Sequence, residues 1–219
     1  MNNNTIIILD FGSQYTQLIA RRIREVGVFS VVLPCDVDIE KIHSINPSGI
    51  ILSGGPETVT KANTPKIDKS LFDSNIPLLG ICYGMQTMAQ ELDGVVVSSD
   101  KREFGHAELR VNQTVGLFSD IEMKNEHSGA PSLDVWMSHG DRISNLPNKF
   151  KSVAFTGNSP LAETLGKAEL KGRTFGDTEF VIGHSGSTVP ERSGVALSFR
   201  GRQASADAGM RGGIMGSLL

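Results

Sequence analysis

Cysteine is scarce in this 219-residue sequence: Cys35 and Cys82 are the only two. Two thiols make neither a disulfide framework nor a multi-cysteine metal centre, and they favour a reducing, cytoplasmic setting. Long hydrophobic runs are missing too. The longest spans a few residues, far below the ~20 that a membrane helix needs. The opening Met1-Asn2-Asn3-Asn4 carries no basic segment followed by an apolar stretch, so export is not expected. No block of basic residues occurs, and the formal charge is -3. Neither nucleic acid nor an anionic membrane is therefore expected as the main partner. What remains is a chain with 39% hydrophobic and 21% charged residues, enough to build one α/β core without metal or disulfide support.

Glycine is unevenly spread. Residues 163–219 hold 11 of the 24 glycines in 57 positions. That segment has little periodic apolar pattern beyond Phe180-Val181-Ile182 and Val195-Ala196-Leu197, and it is expected to be poorly ordered. Residues 1–162 show neither an internal repeat nor a linker, and they read as one domain.

In that domain the period alternates. Residues 5–9 are apolar and β-branched and stop at Asp10-Phe11-Gly12, which predicts a buried strand and a turn. From Ser13 the spacing is helical, with Tyr15, Leu18, Ile19, Ile23 and Val26 on one face, three arginines on the other, and Gly27 as the stop. Strands follow at 28–33, 49–52 and 76–81, with helices near 38–43, near 66–72 and after Gly84, the last with Met85, Met88, Ala89 and Leu92 on one face. Strand alternating with helix predicts a doubly wound, mostly parallel sheet covered on both faces. Beyond Gly94 strands at 95–98, 104–111, 135–138 and 153–156 predict a mixed or antiparallel extension.

The strongest chemical signal is Gly80-Ile81-Cys82-Tyr83-Gly84, between a buried strand and an amphipathic helix. It has the strand-turn-helix form of a nucleophile elbow, with small residues permitting a tight turn beneath Cys82. A thiol at a helix N-terminus is expected to be acidified by unpaired N–H groups. Cys35 has no glycine brackets and reads as structural. Ser53-Gly54-Gly55-Pro56 ends another parallel strand, so it should neighbour Cys82 at the carboxyl edge of the sheet. Its N–H groups, with that of Tyr83, fit an oxyanion hole. A phosphate cradle is the rival and a plain turn the bland alternative. Trp136-Met137-Ser138-His139-Gly140-Asp141 is a strand entering a polar turn, in which His139 reads as a general base, a metal ligand or an ordinary loop histidine.

Taken in order, Asp10-Phe11-Gly12-Ser13-Gln14-Tyr15, Ser53-Gly54-Gly55-Pro56, Gly80-Ile81-Cys82-Tyr83-Gly84, Phe104-Gly105 and Trp136-Met137-Ser138-His139-Gly140-Asp141 closely resemble the class I glutamine amidotransferase domain of GMP synthetases. The match covers about residues 5–162, and the family's fold is flavodoxin-like. The resemblance implies that Cys82 attacks the carboxamide of glutamine, that the Gly55 and Tyr83 N–H groups hold the oxyanion, and that Gly54, Gln86, Ser138 and His139 bind the substrate. It assigns His139 to binding rather than catalysis and implies no metal. It also implies no cofactor in this chain, ATP and Mg belonging to an ATP pyrophosphatase (synthetase) domain or subunit as partner.

The family places its base in a His-Pro-Glu motif near the end of the domain. None of the five histidines here is followed by Pro-Glu, and the later His184 is assigned no role. The domain is therefore expected to be incomplete after about residue 162, with 163–219 out of frame or otherwise unrelated. The leading functional expectation is the glutaminase part of GMP synthetase, impaired in turnover. The alternative is a non-catalytic glutamine-binding or synthetase-docking module.

Overall fold

The computed structural model describes residues 5–74, 76–112, 123–124, 131–148, 150–156, 163–167 and 179–183, with backbone alone at 99–107, 135–140, 163–167 and 179–183. The chain runs β1 (Thr5–Asp10), α1 (Thr16–Glu25), β2 (Phe29–Pro34), α2 (Ile39–Ile45), β3 (Gly49–Leu52), a 3-10 turn (Lys69–Asp73), β4 (Leu78–Ile81) and α3 (Tyr83–Glu91). It continues with β5 (Val95–Val111), β6 (Ser132–Asn145), β7 (Phe150–Phe155), β8 (Glu163–Lys167) and β9 (Glu179–Gly183). These strands form a single sheet in the order β2-β1-β3-β4-β9-β8-β7-β5-β6. The first five are parallel neighbours, and from β9 onward the pairing is antiparallel.

The parallel half repeats the flavodoxin-like strand order, with β9 in the fifth place. Its continuous apolar strands are explained by burial on both faces. Alternate residues of β1 enter two cores: Ile7 and Leu9 pack with Ile42, Met85, Met88 and Ala89, whereas Ile6 and Ile8 pack with Ile19, Ala20 and Ile23. Helices α2 and α3 therefore cover one face and α1 the other. Among the described residues no helix is long and apolar enough to cross a membrane.

Several local expectations shift. The buried face of α1 is Thr16, Ile19, Ala20 and Ile23, while Leu18 is 42% exposed. The Thr16 hydroxyl bonds to Asp10 Oδ1 at 2.7 Å, which sets the helix's rotation and turns position 18 outward. Residues Tyr83 to Ala89 of α3 are all buried, so the helix is packed all round rather than on one stripe. The helix expected near 66–72 is a 3-10 turn, started by Asp68, whose carboxylate accepts from the Ser70 N–H. The two strands expected at 95–98 and 104–111 are one strand, β5, with its register against β6 broken between Ser98 and Glu103. Within 163–219, β8 and β9 are strands, and β9 pairs with β4 through Leu79↔Val181, Gly80↔Ile182 and Ile81↔Gly183. The apolar run Phe180-Val181-Ile182 is the sequence feature that corresponds to β9.

Candidate active site

Three loops leave the carboxyl ends of neighbouring parallel strands β1, β3 and β4, and hydrogen bonds lock them together. The Phe11 N–H donates to the Ser53 hydroxyl at 3.1 Å, the Ser53 N–H to the Leu9 carbonyl at 3.0 Å, and the Gly84 N–H to the Ser53 carbonyl at 3.0 Å. Ser53 is fully buried and joins all three loops. In the sequence the Gly54-Gly55 pair beside it is the visible signal, and a lone serine carries none.

Cys82 stands between β4 and α3 with φ 51° and ψ −108°. A non-glycine residue in such a conformation costs on the order of 1–3 kcal/mol, which persists only where the surroundings enforce it. Here they do. A Cβ on Gly80 would lie 2.7 Å from the Met85 nitrogen and Cα, and one on Gly84 would run into the Leu52 carbonyl and lie 2.6 Å from its Cβ. The bracketing glycines thus let α3 approach β3 and β4 closely enough to force the turn at Cys82.

The thiol itself departs from the sequence-based expectation. Burial pushes it up to about 11 and the Asp141 carboxylate adds to the rise, while the Tyr83 backbone N–H opposes both. Desolvation of the thiolate outweighs the donors at the start of α3. In the sequence Asp141 stands only as the last residue of the Trp136–Asp141 segment. Its burial is the signal that marks it, because an aspartate is rarely buried without a purpose.

The remaining expected residues divide clearly. Gly54 lies against Cys82, a Cβ there being 3.7 Å from the cysteine Cβ. Gly55 is wedged between Phe11 and Tyr83, with a Cβ 2.7 Å from the Phe11 carbonyl and 3.4 Å from Tyr83 Cγ. Gln86, 3% exposed, donates from Nε2 to the Asp141 carbonyl at 3.1 Å. That bond ties α3 to the strand that carries Ser138 and His139, whose backbones pair with Phe104 and Glu103. The side chains of Ser138 and His139, and His184 altogether, lie outside the described residues. Tyr83 is buried, stacks obliquely on Phe11 at 5.3 Å and donates its hydroxyl to the Pro65 carbonyl at 2.7 Å, anchoring the loop that follows Gly55. Cys35 follows β2, with β1 and β3 between it and β4. Among the described residues no group of three or more His, Cys, Asp or Glu side chains gathers as a metal site.

A strained cysteine over a parallel sheet, flanked by a Gly-Gly loop, is an arrangement that carries acyl-transfer chemistry on more than one fold. The family model "Glutamine amidotransferase class-I" matches residues 7–172. The chain belongs to the class I glutamine amidotransferases. Within that family it is similar to "GMP synthase [glutamine-hydrolyzing]" of Coxiella burnetii (strain RSA 331 / Henzerling II), with 54% identity over 176 residues, 80% of this chain and 33% of that protein. It is also similar to the protein of the same description from Legionella pneumophila (strain Lens), with 52% identity over 162 residues, 74% of this chain and 31% of the other. The amidotransferase chain thus spans about a third of the length of these relatives. Among solved structures, a glutamine amidotransferase from Thermotoga maritima superposes with a TM-score of 0.58 at 18% identity, over 75% of this chain and 72% of that one. At that identity the likeness speaks for the fold of the amidotransferase.

Proposed function

We propose that this chain is the glutaminase part of a GMP synthetase. Cys82 attacks the carboxamide carbon of glutamine; ammonia leaves, and water then hydrolyses the glutamyl thioester to glutamate. The ammonia passes to an ATP pyrophosphatase domain or subunit that uses it to convert xanthosine monophosphate to GMP. The observation that carries this reading is the positive-φ Cys82 held between Gly80 and Gly84 with Gly54 and Gly55 against it.

The Gly55 and Tyr83 N–H groups are the oxyanion donors in this proposal, and Gln86 with the Ser138-His139 backbone holds the amino-acid end of glutamine. Asp141 supplies the negative charge for the substrate's α-ammonium, the one cation glutamine brings.

Turnover is weak on this reading, because no His-Pro-Glu is present in the sequence and the Cys82 thiol sits at about 11. A thiol raised that far is mostly protonated near neutral pH. The same observations favour a second reading, a module that binds glutamine or docks on a synthetase without turning over. Glutamate release with and without an added ATP pyrophosphatase partner, beside calorimetry with glutamine, separates them. The glutaminase reading expects slow release abolished by Cys82→Ala. Binding with no release at all supports the glutamine-binding module, and absence of both overturns the glutaminase and the glutamine-binding module and leaves docking alone. Loss of slow release in His184→Ala as well would identify that histidine as a replacement base.

A further inference from the structure

The loop after β1 brings one more polar group to the nucleophile. Ser13 is held there from both sides. Asp10 Oδ1 accepts from the Gly12 N–H at 2.9 Å and from the Thr16 hydroxyl at 2.7 Å, and the Phe11 N–H is tied to Ser53. These bonds fix the loop against the Gly54 turn. The missing side chain of Gly54 leaves a methyl-sized gap, and the point a Cβ would occupy is 3.7 Å from Ser13 Oγ, 3.7 Å from Cys82 Cβ and 3.8 Å from the Ile81 carbonyl. Ser13 Oγ and the cysteine Cβ therefore both border the gap at Gly54.

A serine hydroxyl has one proton to give and two lone pairs. Ser13 Oγ accepts the Tyr15 N–H at 3.1 Å, and among the described residues no acceptor takes its proton. The proton remains for something in the gap. Among the described residues Asp141 of β6 is a charged side chain that acts on Cys82, and its sign disfavours a thiolate. A neutral donor favours one, because a hydrogen bond to the charged form stabilises that form.

We propose that Ser13 is a positioning residue for Cys82, its hydroxyl turning across Gly54 to donate toward the cysteine sulfur, directly or through one water, and so raising the thiolate fraction. This rests on Cys82 being the nucleophile, but it is read on the sulfur alone, without turnover. Gly54 is part of the device, since a side chain there would fill the gap that Ser13 Oγ and the cysteine both border. An alanine fits at ordinary contact distances, so Gly54→Ala blocks the path without crowding the fold.

The test is the rate at which iodoacetamide alkylates Cys82 across a pH series, followed on the Cys82 peptide by mass spectrometry so that Cys35 is counted separately. The variants are Ser13→Ala, Ser13→Thr, Gly54→Ala and the Ser13→Ala/Gly54→Ala pair in the full chain. Ser13→Ala and Gly54→Ala should each move the inflection upward by about half a unit, roughly a threefold loss of thiolate below it. Ser13→Thr should restore the parent profile, and the pair should be no worse than either single change, because both break one path. An unmoved inflection in Ser13→Ala, or additive shifts in the pair, overturns the proposal. A change in plateau rate without a moved inflection reports reagent access and overturns it equally. Glutamate release by the parent and Cys82→Ala tests the nucleophile separately, so the two failures are distinguishable.

Discussion

The ends of β2 and β4 each present a partly buried cysteine, and the two differ in nearly everything else. Burial raises both thiols above their ordinary value, with Asp36 adding to the rise at Cys35 and Asp141 at Cys82. Only Cys82 takes a positive φ, only Cys82 sits between glycines that cannot carry a side chain, and only Cys82 begins a helix buried all round. A shifted thiol alone therefore does not set a cysteine apart; the backbone forced into strain beneath Cys82 does.

The contrast breaks most sharply in activity. Cys82→Ala should abolish glutamate release from glutamine, whereas Cys35→Ala should leave the rate within about twofold of the parent, because β1 and β3 separate the end of β2 from Cys82. Equal losses in the two variants would remove the distinction. Next comes stability. Gly84→Ala drives a methyl into the Leu52 backbone and should lower unfolding free energy by roughly 3 kcal/mol, measured as a shifted urea midpoint. A near-neutral result would mean that α3 need not approach β3 so closely.

Much of this was legible in the sequence. The Gly-x-Cys-x-Gly bracket between a buried strand and a helix announced the elbow, because close backbone approach demands glycine whatever the rest of the fold does. The parallel half was legible because burial on both faces leaves continuous apolar runs such as Ile6 to Leu9. Other features were not. The orientation of α1 was missed because it depends on the bond from Thr16 to Asp10, which no periodicity encodes. The acidity of Cys82 was misjudged because helix-terminal donors are local and visible, whereas desolvation comes from the whole packed site. Asp141 was overlooked because its negative charge reaches Cys82 from β6, a strand far away in sequence, and Ser53 and Ser13 because single serines carry no pattern.

A smaller effect concerns pH. A thiol that holds its proton more tightly in the folded chain than in the unfolded one adds stability below its unfolded value and loses it as pH climbs from about 9 to about 11. At about pH 10 this amounts to roughly 1.4 kcal/mol, so Cys82→Ala should flatten the alkaline decline of the urea midpoint. A decline of unchanged steepness would show that Cys82 is not desolvated. The smallest effect belongs to the anchor beneath the site: Tyr83→Phe removes the bond to Pro65 and should cost about 1 kcal/mol in the same denaturation measurement. No loss would leave the Gly55 loop held by packing on Phe11 alone.

The proposed reaction requires covalent chemistry at one sulfur. Acid-quenching the protein after incubation with glutamine, digesting it and weighing the two cysteine peptides reads that chemistry directly. A glutamyl adduct on the Cys82 peptide, absent from the Cys35 peptide and from Cys82→Ala, is the predicted result. No adduct at Cys82 under saturating glutamine, or an adduct on another residue, would contradict it.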